Sequence, residues 1–322
     1  MKPKFIILIA TLLILAVLAS IILSNFTVYK TQIFNRATLF PGGSKNINNN
    51  CLKTEAIITA KPIHSGDLIV MLSNPVNLEH PAYAGIKDRQ ITVPVFAYLV
   101  HHEKYGYYLI DSGCEESYVG NPYGPMKGLL VSKVVPQTLL NPDNAIEKQL
   151  SDVLDEINGV FFTHLHFDHT SGLPALPCGL DYFAGKNEQS FNIKWLLEAN
   201  HFKNYDVIYQ FDFESNDAQE LSVGKAIDVF GDYSFWAIST SGHSKGHVSY
   251  LVNTSDHPVL IAGDACITNK NLEKGVGSGT SSGDRETDQN TVEKIKEFID
   301  SHSEIEVWPG HDYPKGFVVV GN

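Results

Sequence analysis

The chain has 322 residues, of which 24 are basic and 36 acidic, so its formal net charge is −12. An acidic surface repels phosphate backbones, which argues against nucleic acid as a partner. Hydrophobic residues at 43% and aromatic residues at 11% are enough for a packed core and exclude a disordered chain. The four cysteines lack CxxC spacing, which argues against a disulfide framework or a zinc finger and leaves their pairing open: Cys51, Cys114, Cys178 and Cys266.

An uncharged apolar run of nineteen residues covers positions 5–23, after a short tail at 1–4. As a helix rising about 1.5 Å per residue it would be about 28 Å long, close to the hydrocarbon thickness of a bilayer. It exceeds the apolar part of a typical signal peptide, about 7–15 residues. We therefore predict an uncleaved transmembrane anchor over 5–23, with a cleaved signal peptide and a buried core helix as alternatives.

The charges beside this run predict its orientation. Counting the amino terminus, three positive groups precede it and two basic residues follow it closely, which favours an inside N-terminus and a main domain outside the cytoplasm. Residues 24–53 are polar and include PGGS and an Asn-rich stretch, which predicts a juxtamembrane linker with room for an early strand. One large domain is then expected over 54–322.

The predicted elements of this domain alternate between strands and helices. Segments 91–101 and 107–110 form a hairpin, a helix capped by Asp143 covers 143–157, and a short buried strand occupies 159–163. Asp288 is the predicted cap of a late helix, and the loop at 275–283 is flexible by composition. Further strands are predicted at 207–211, 226–230, 235–239, 248–252, 259–262 and 304–308. This order indicates a layered α/β architecture.

A cluster of candidate metal ligands follows the strand at 159–163. The sequence HLHFDH places His164, His166, Asp168 and His169 within six residues. In extended backbone the first two point the same way, and a turn would aim the other two at a neighbouring point, which suits a pair of cations. Imidazole with carboxylate suits zinc, iron, nickel or manganese, and the absence of thiolates argues against a structural zinc.

Three later fragments each offer one more ligand at the end of a predicted strand. They are SGH with His243, AGD with Asp264 and PGH with His311. The glycine before each candidate lets the backbone turn tightly near an ion. Each residue alone would be an ordinary loop residue, but together with the cluster they predict a metal centre.

In this order the motifs HxHxDH, GH, GD and GH resemble the pattern of the metallo-β-lactamase superfamily, over about residues 54–322. The resemblance implies an αββα sandwich, two mixed β-sheets packed face to face and flanked by helices, with the site at one edge. It implies that His164, His166 and His243 hold one divalent ion and that Asp168, His169 and His311 hold a second, with Asp264 bridging both. It also implies that Asp111, in an IDSG turn, orients ligands from behind, the alternative being an Asp that stabilises its own turn. His247 is read as a similar supporting residue.

Two divalent ions, zinc first with iron or manganese as alternatives, would make hydroxide available near neutral pH. Asp264 would hold both ions and Asp168 would carry a proton to the leaving group, so these two are the predicted catalytic residues. The expected reaction is hydrolysis of a small lactone, ester or thioester. The alternatives are an oxidoreductase resembling persulfide dioxygenases, with one iron, and an inactive membrane-tethered binding protein.

Within the superfamily, the chain looks most like the N-acyl-homoserine lactonases. PVFAYLV at 94–100 resembles their second strand. The sequence HLHFDH is their usual form of the HxHxDH motif, and the fragment at 241–247 resembles their TPGHxxGH motif. These lactonases often carry a tyrosine three residues after the bridging aspartate, where it contacts the lactone carbonyl. Here that position is Ile267, which cannot donate this hydrogen bond.

Overall fold

The computed structural model describes residues 3–23, 29–41, 51–190, 192–193, 195–199, 201–203 and 206–318. The strands are β1 Lys30–Ile33, β2 Ile58–Met71, β3 Gln90–His102, β4 Gly106–Ile110, β5 Gln137–Leu139, β6 Ile157–Phe161, β7 Asp181–Gly185, β8 Asn192–Ile193, β9 Leu197–Glu198, β10 Val207–Phe211, β11 Ala218–Leu221, β12 Gly224–Asp228, β13 Phe235–Ser239, β14 Val248–Asn253, β15 Pro258–Gly263 and β16 Glu306–Pro309. The helices are α1 Pro3–Leu23, α2 Arg36–Leu39, α3 Val131–Val134, α4 Ile146–Gln149, α5 Phe167–Thr170, α6 Asn269–Lys274 and α7 Arg285–Ser301.

Two mixed sheets form the frame. The first has eight strands in the order β1-β10-β7-β6-β4-β3-β2-β5, parallel from β1 to β4 and antiparallel from there to β5. The second has six strands in sequence order, β11 to β16, and only its last pair is parallel. This agrees with the predicted sandwich of two mixed sheets.

The core between the sheets is largely aromatic. Phe161, Phe183 and Phe211 of the first sheet and Phe235 and Tyr250 of the second are fully buried. The ring centroids of Phe161 and Phe235 lie 4.9 Å apart, so the two sheets contact directly. Each buried aromatic ring contributes about 1.5–3 kcal/mol from removal of apolar surface from water.

Helix α7 covers the outer face of the second sheet. Its buried residues Val292, Ile295 and Phe298 recur at helical spacing and pack in one cluster with apolar residues of β13 to β15. The helix begins at Arg285, and the side chain of Asp284 accepts a hydrogen bond from Thr287 N at 3.1 Å as the N-cap. The prediction that Asp288 caps this helix is wrong, since Asp288 lies inside it and is buried.

The helix predicted over 143–157 is also wrong. Only one turn, α4, is α-helical, and it is followed by a 3-10 turn before β6. Ile146 and Leu150, whose helical spacing suggested the longer helix, are buried against the outer face of the first sheet. Ser151 and Asp152 come next, and such side chains compete with the helical backbone for hydrogen bonds, which favours a break there.

The N-terminal part differs from the sequence-based expectation. Strand β1 pairs with β10, and Phe34 and Phe40 are buried in the core between the sheets. Residues 29–41 thus belong to the fold and include the early strand that the prediction allowed, so this part of 24–53 is not only a linker. Residues 24–28 and 42–50 lie outside the described residues.

Helix α1 covers the apolar run at 5–23. In the part of the chain that the structure describes, no helix combines the length and apolarity that crossing a membrane requires, so the predicted anchor is not supported. A location of the main domain outside the cytoplasm stays a prediction.

Candidate metal centre

All seven predicted ligands come together at one edge of the sandwich, where strands of both sheets end. The HLHFDH segment follows β6 and runs into α5, whose first residues carry Asp168 and His169. His243 follows β13, Asp264 follows β15 and His311 follows β16. Strand ends of both sheets therefore bring together side chains that are far apart in the sequence.

Three imidazoles form a first donor group. His166 Nδ1 lies 2.9 Å from His164 Nε2 and 3.0 Å from His243 Nε2. In a tetrahedral zinc site with Zn–N bonds of about 2.0–2.1 Å, neighbouring nitrogens are about 3.3 Å apart. The convergence of three ring nitrogens at nearly this spacing fits a shared cation.

Asp168, His169 and His311 form a second donor group. Asp168 Oδ2 lies 3.2 Å from His311 Nε2 and 3.8 Å from His169 Nε2. Each of the three residues offers one ligand atom, and these atoms lie within 4.8 Å of one another. A mixed imidazole and carboxylate set of this size suits zinc, iron or manganese.

Asp264 lies between the two groups. Its Oδ2 is 3.3 Å from His243 Nε2 and 4.0 Å from His164 Nε2. Its Oδ1 is 3.4 Å from both His169 Nε2 and His311 Nε2. One carboxylate oxygen thus faces each group, which is the arrangement that a bridging ligand requires.

Two of these atoms lack a hydrogen bond. His169 Nε2 and Asp264 Oδ1 are buried and have no hydrogen bond from any residue that the structure describes. Leaving a buried polar atom unsatisfied costs about 1–3 kcal/mol. Because both atoms face the second group, a cation bound there would satisfy them, and the residues present fit a metal ion.

The electrostatics differ between the two groups. Burial and then the neighbouring imidazoles lower the pKa of His164 well below its usual range, and burial lowers the pKa of His243 to about 3. Both rings are therefore neutral, the form that binds metal. Burial also lowers the pKa of His169, but Asp111, Asp168 and Asp264 outweigh it and raise that pKa well above 6.5. The electrostatic field of these three carboxylates thus favours a positive charge, such as that of a bound cation, at the second group.

Asp111 supports the second group from behind. Its Oδ2 accepts a hydrogen bond from His169 Nδ1 at 2.8 Å, and its Oδ1 accepts one from Thr163 N at 2.8 Å. The backbone of Asp111 has φ of +54°, which is strained for a residue other than glycine and common at functional sites. These contacts reach His169 and the start of the ligand segment and are not confined to the turn of Asp111 itself.

His247 supports the Asp264 loop. Its Nε2 accepts a hydrogen bond from Asp264 N at 3.0 Å, and its Nδ1 lies 2.9 Å from Thr240 Oγ1. Burial lowers the pKa of His247 well below its usual range, so the ring is neutral and Nε2 is free to accept. The ring thereby fixes the backbone from which Asp264 projects.

Sequence reasoning missed three polar residues around the ligands. Thr163 hydrogen-bonds to Asp111, Thr240 contacts His247, and the carboxylate of Glu188 joins two of the ligand loops. Thr163 directly precedes the histidine cluster, which is a weak signal. Glu188 comes from a distant turn and has no signal of its own in a single sequence.

A cavity of about 230 Å³ opens beside the two groups. Asp168, Asp264, His166, His243 and His311 form its polar end. Its remaining wall is mainly apolar and includes Leu68, Val70, Val93, Val134, Phe167 and Ile267, with the neutral side chains of Asn74 and Ser281. A second apolar cavity of about 280 Å³ shares Val134, His166 and Phe167 with the first. Neither lining contains a lysine or arginine among the described residues.

Curated relatives resemble the chain at low identity. The N-acyl homoserine lactonase of Bacillus thuringiensis is 26% identical over 231 residues, which are 69% of this chain and 82% of the relative. The N-acyl homoserine lactonase AttM of Agrobacterium fabrum is 28% identical over 235 residues, 70% of this chain and 83% of the relative. The cytochrome P450 monooxygenase mpaDE of Penicillium roqueforti is 24% identical over 207 residues, and the match spans 55% of this chain but only 22% of that protein.

Solved structures share the fold. A quorum-quenching N-acyl homoserine lactone hydrolase superposes with a TM-score of 0.59 at 22% identity, covering 83% of this chain and 98% of the other. A second, with the product N-hexanoyl-L-homoserine bound at its catalytic metal center, has a TM-score of 0.57 at 24% identity, covering 81% and 94%. The family model described as metallo-beta-lactamase superfamily matches residues 91–311, from β3 to the last predicted ligand, His311. The chain therefore belongs to the metallo-beta-lactamase superfamily.

Proposed function

We propose that this protein is a dinuclear metallohydrolase that opens an uncharged lactone, ester or thioester with an apolar acyl part. The observation that carries the proposal is the position of Asp264, whose two carboxylate oxygens face two separate donor groups. Structural zinc sites are closed and usually use thiolates, whereas these groups border a cavity.

The ligand assignment follows the two groups. One ion would be held by His164, His166 and His243, the second by Asp168, His169 and His311, and both by Asp264. Histidine and aspartate donors suit zinc, and iron or manganese would fit the same set. Asp111 and His247 would fix the orientation of His169 and Asp264 through the hydrogen bonds described above.

When bound, two divalent ions would supply a hydroxide near neutral pH and polarise the substrate carbonyl. Asp168 lines the cavity with its Oδ2 towards His311. Burial acts to raise the pKa of Asp168, but His169 and His311 outweigh it and lower that pKa to about 2. The carboxylate is therefore ionised at neutral pH, as a metal ligand must be, and its place in the cavity wall makes it the proposed carrier of a proton to the leaving oxygen.

The cavity walls indicate the substrate class. Apolar side chains and neutral polar groups form the walls beyond the ligands, which favours an uncharged substrate with a hydrocarbon part. The lactonase relatives support a lactone, but Ile267 lines the cavity and offers no hydroxyl to the carbonyl oxygen. Esters and thioesters therefore remain in the proposed class beside lactones.

The mononuclear-iron oxidoreductase, the alternative from the sequence, would use two histidines and one aspartate. The second donor group and the central Asp264 disfavour this oxidoreductase, because a single iron with three protein ligands would leave the remaining donor residues without a role. An inactive binding protein would have no need for buried ring nitrogens without a hydrogen bond, such as His169 Nε2. Metal content and oxygen uptake separate these alternatives from the hydrolase.

The test uses the full chain. Metal content is measured by mass spectrometry, and proton release is followed with a panel of lactones, esters and thioesters of increasing acyl length. We expect about two metal ions per chain and turnover that is abolished in Asp264→Asn and His169→Ala. The matched control is His257→Ala, because His257 is an exposed histidine that pairs with Glu306 away from the ligand loops. One iron per chain with oxygen uptake, or folded metal-free protein without turnover, would contradict the proposal.

A further inference from the structure

The three histidines of the first donor group stand on two separate loops. His164 and His166 belong to the segment after β6, and His243 belongs to the loop between β13 and β14. An ion could bind tightly only if these loops keep a fixed separation, since zinc–nitrogen bond lengths vary by only about 0.1 Å. Some contact between the loops must therefore set this separation.

The backbone hydrogen bond from Val248 N to Thr163 O, at 2.8 Å, is one such contact, and Glu188 provides a second one closer to the histidines. Its Oε1 accepts a hydrogen bond from Leu165 N at 3.3 Å, between the two histidines of the first loop. Its Oε2 accepts hydrogen bonds from Ser244 Oγ at 2.6 Å and from Gly246 N at 3.0 Å, in the loop that carries His243. The carboxylate of Glu188 thus connects Leu165, which lies between His164 and His166, to Ser244, which follows His243.

The backbone around Glu188 is packed closely against the second loop. A Cβ on Gly246 would lie 2.6 Å from Glu188 N, and a Cβ on Gly185 would lie 1.9 Å from Gly246 O. Glu188 N donates to Gly185 O at 3.1 Å, which closes the turn after β7. Glycine at positions 185 and 246 therefore permits the contact that carries the carboxylate between the loops.

The charge of Glu188 also fits a cation nearby. The residue is buried, and no lysine or arginine forms an ion pair with it among the described residues. The nearest basic residue in sequence, Lys186, pairs with Asp212 instead. Glu188, Asp111, Asp168 and Asp264 are all buried at or near the ligand loops, and this concentration of carboxylates favours bound cations.

We infer that Glu188 is a positioning residue that sets the geometry of the first metal site, and so the affinity of that site, but not of the second. The inference rests on the proposed dinuclear centre. Glu188 contacts no residue of the second group, Asp168, His169 or His311, among its hydrogen bonds in the described chain. Its removal should therefore affect the two sites unequally.

The test compares metal affinity in Glu188→Gln and wild type. Glutamine keeps the size of the side chain, but its NH₂ group cannot accept a hydrogen bond from Leu165 N or from Gly246 N. Metal-depleted protein is titrated with Zn²⁺ against a chromophoric chelator and with Co²⁺ by visible absorbance. The variants His243→Ala and His311→Ala identify the signal of each site. We expect the first-site affinity to fall about 10- to 100-fold and the second-site affinity to stay unchanged.

Two further variants separate positioning from folding. Ser244→Ala removes one of the three contacts without burying an amide, so it should weaken the first site by less than Glu188→Gln does. Glu115→Gln is the matched control, because Glu115 is a buried carboxylate that caps the turn at Ser117 away from both loops. It should leave both affinities unchanged.

Each outcome has a distinct meaning. Unchanged affinities in both Glu188→Gln and Ser244→Ala, or an equal loss at both sites, would overturn the role of Glu188 while leaving the dinuclear centre intact. Wild-type protein that binds fewer than two ions would instead contradict the proposed function itself. Selective loss at the first site in both variants would support the inference even if Glu188→Gln also lowers the melting temperature.

Discussion

Asp111 Oδ2 accepts a hydrogen bond from His169 Nδ1 at 2.8 Å, and this contact turns the opposite ring nitrogen, Nε2, towards Asp264. A histidine can offer Nε2 to a cation only if its proton lies on Nδ1. The carboxylate of Asp111 therefore fixes both the tautomer and the orientation of His169. The second donor group thus depends on a residue that does not belong to it.

This relationship predicts the effect of Asp111→Asn. An amide at this position can present its NH₂ to Nδ1 and reverse the tautomer, so we expect metal affinity at the second site and turnover to fall about 10- to 100-fold. Chelator competition and steady-state kinetics measure the two quantities. The control is Asp232→Asn, which changes a His–Asp pair with a 2.9 Å contact to His102 at the other end of the sandwich. Equal metal affinities in Asp111→Asn and wild type would contradict the role of Asp111.

The pH dependence of stability should report on His201, a buried histidine beside α5. Its Nδ1 lies 2.8 Å from Thr170 Oγ1 and its Nε2 lies 3.2 Å from Tyr118 Oη. Burial lowers the pKa of His201 to about 4, although Asp168 acts in the opposite direction. The unfolded chain, with a pKa of about 6.5 at this residue, therefore binds a proton that the folded chain does not between about pH 6.5 and 4.

Because the unfolded chain binds this proton more readily, folding stability falls as the pH is lowered. The stability that His201 contributes is complete above about pH 6.5 and decreases as the pH falls, by about 2 kcal/mol at pH 5. Urea unfolding of metal-depleted wild type and His201→Gln at pH 7.5 and pH 5 measures it, because groups common to both proteins cancel in the difference. The advantage of wild type over the variant should shrink at pH 5. An advantage that is the same at both pH values would show that His201 titrates normally.

Most of the candidate metal centre could be predicted, because four of the proposed ligands lie within six residues and each of the other three follows a glycine after a strand. Glu188 could not be predicted, since its partners lie 23 and 56 residues away and only the fold brings them together. An early strand was allowed for within 24–53, but the position of β1 could not be predicted, because all four of its residues are exposed and show no apolar alternation. The prediction of a helix at 143–157 was wrong for another reason: Ile146 and Leu150 are both buried, but their spacing of four residues also fits a single helical turn.

The shared lining of the two cavities predicts a chain-length effect. Val134 borders both, so a long acyl chain reaching from the first cavity into the second would pass it. Val134→Glu should reduce kcat/KM for long-chain esters about 200-fold more than for acetyl esters, since about four fewer methylenes at about 0.8 kcal/mol each would be buried. Leu129→Glu is the control, because Leu129 is exposed and borders neither cavity. An equal loss for all chain lengths would place the acyl chain elsewhere.

Ile267 allows the sharpest test of substrate choice. The side chain of Ile267 lines the cavity. In sequence it lies three residues after Asp264, where N-acyl-homoserine lactonases often carry a tyrosine. Ile267→Tyr would place a hydroxyl donor beside the carbonyl, and a hydrogen bond that strengthens as charge develops is worth about 1.4 kcal/mol, or tenfold in rate. We therefore expect kcat/KM for lactones to rise about tenfold relative to acyclic esters. Ile267→Phe adds the same ring without the hydroxyl and should not produce this gain. If Ile267→Tyr and Ile267→Phe change the ratio of lactone to ester hydrolysis by the same factor, the ring acts only by filling the cavity. The hydroxyl group would then not explain lactone preference in this chain.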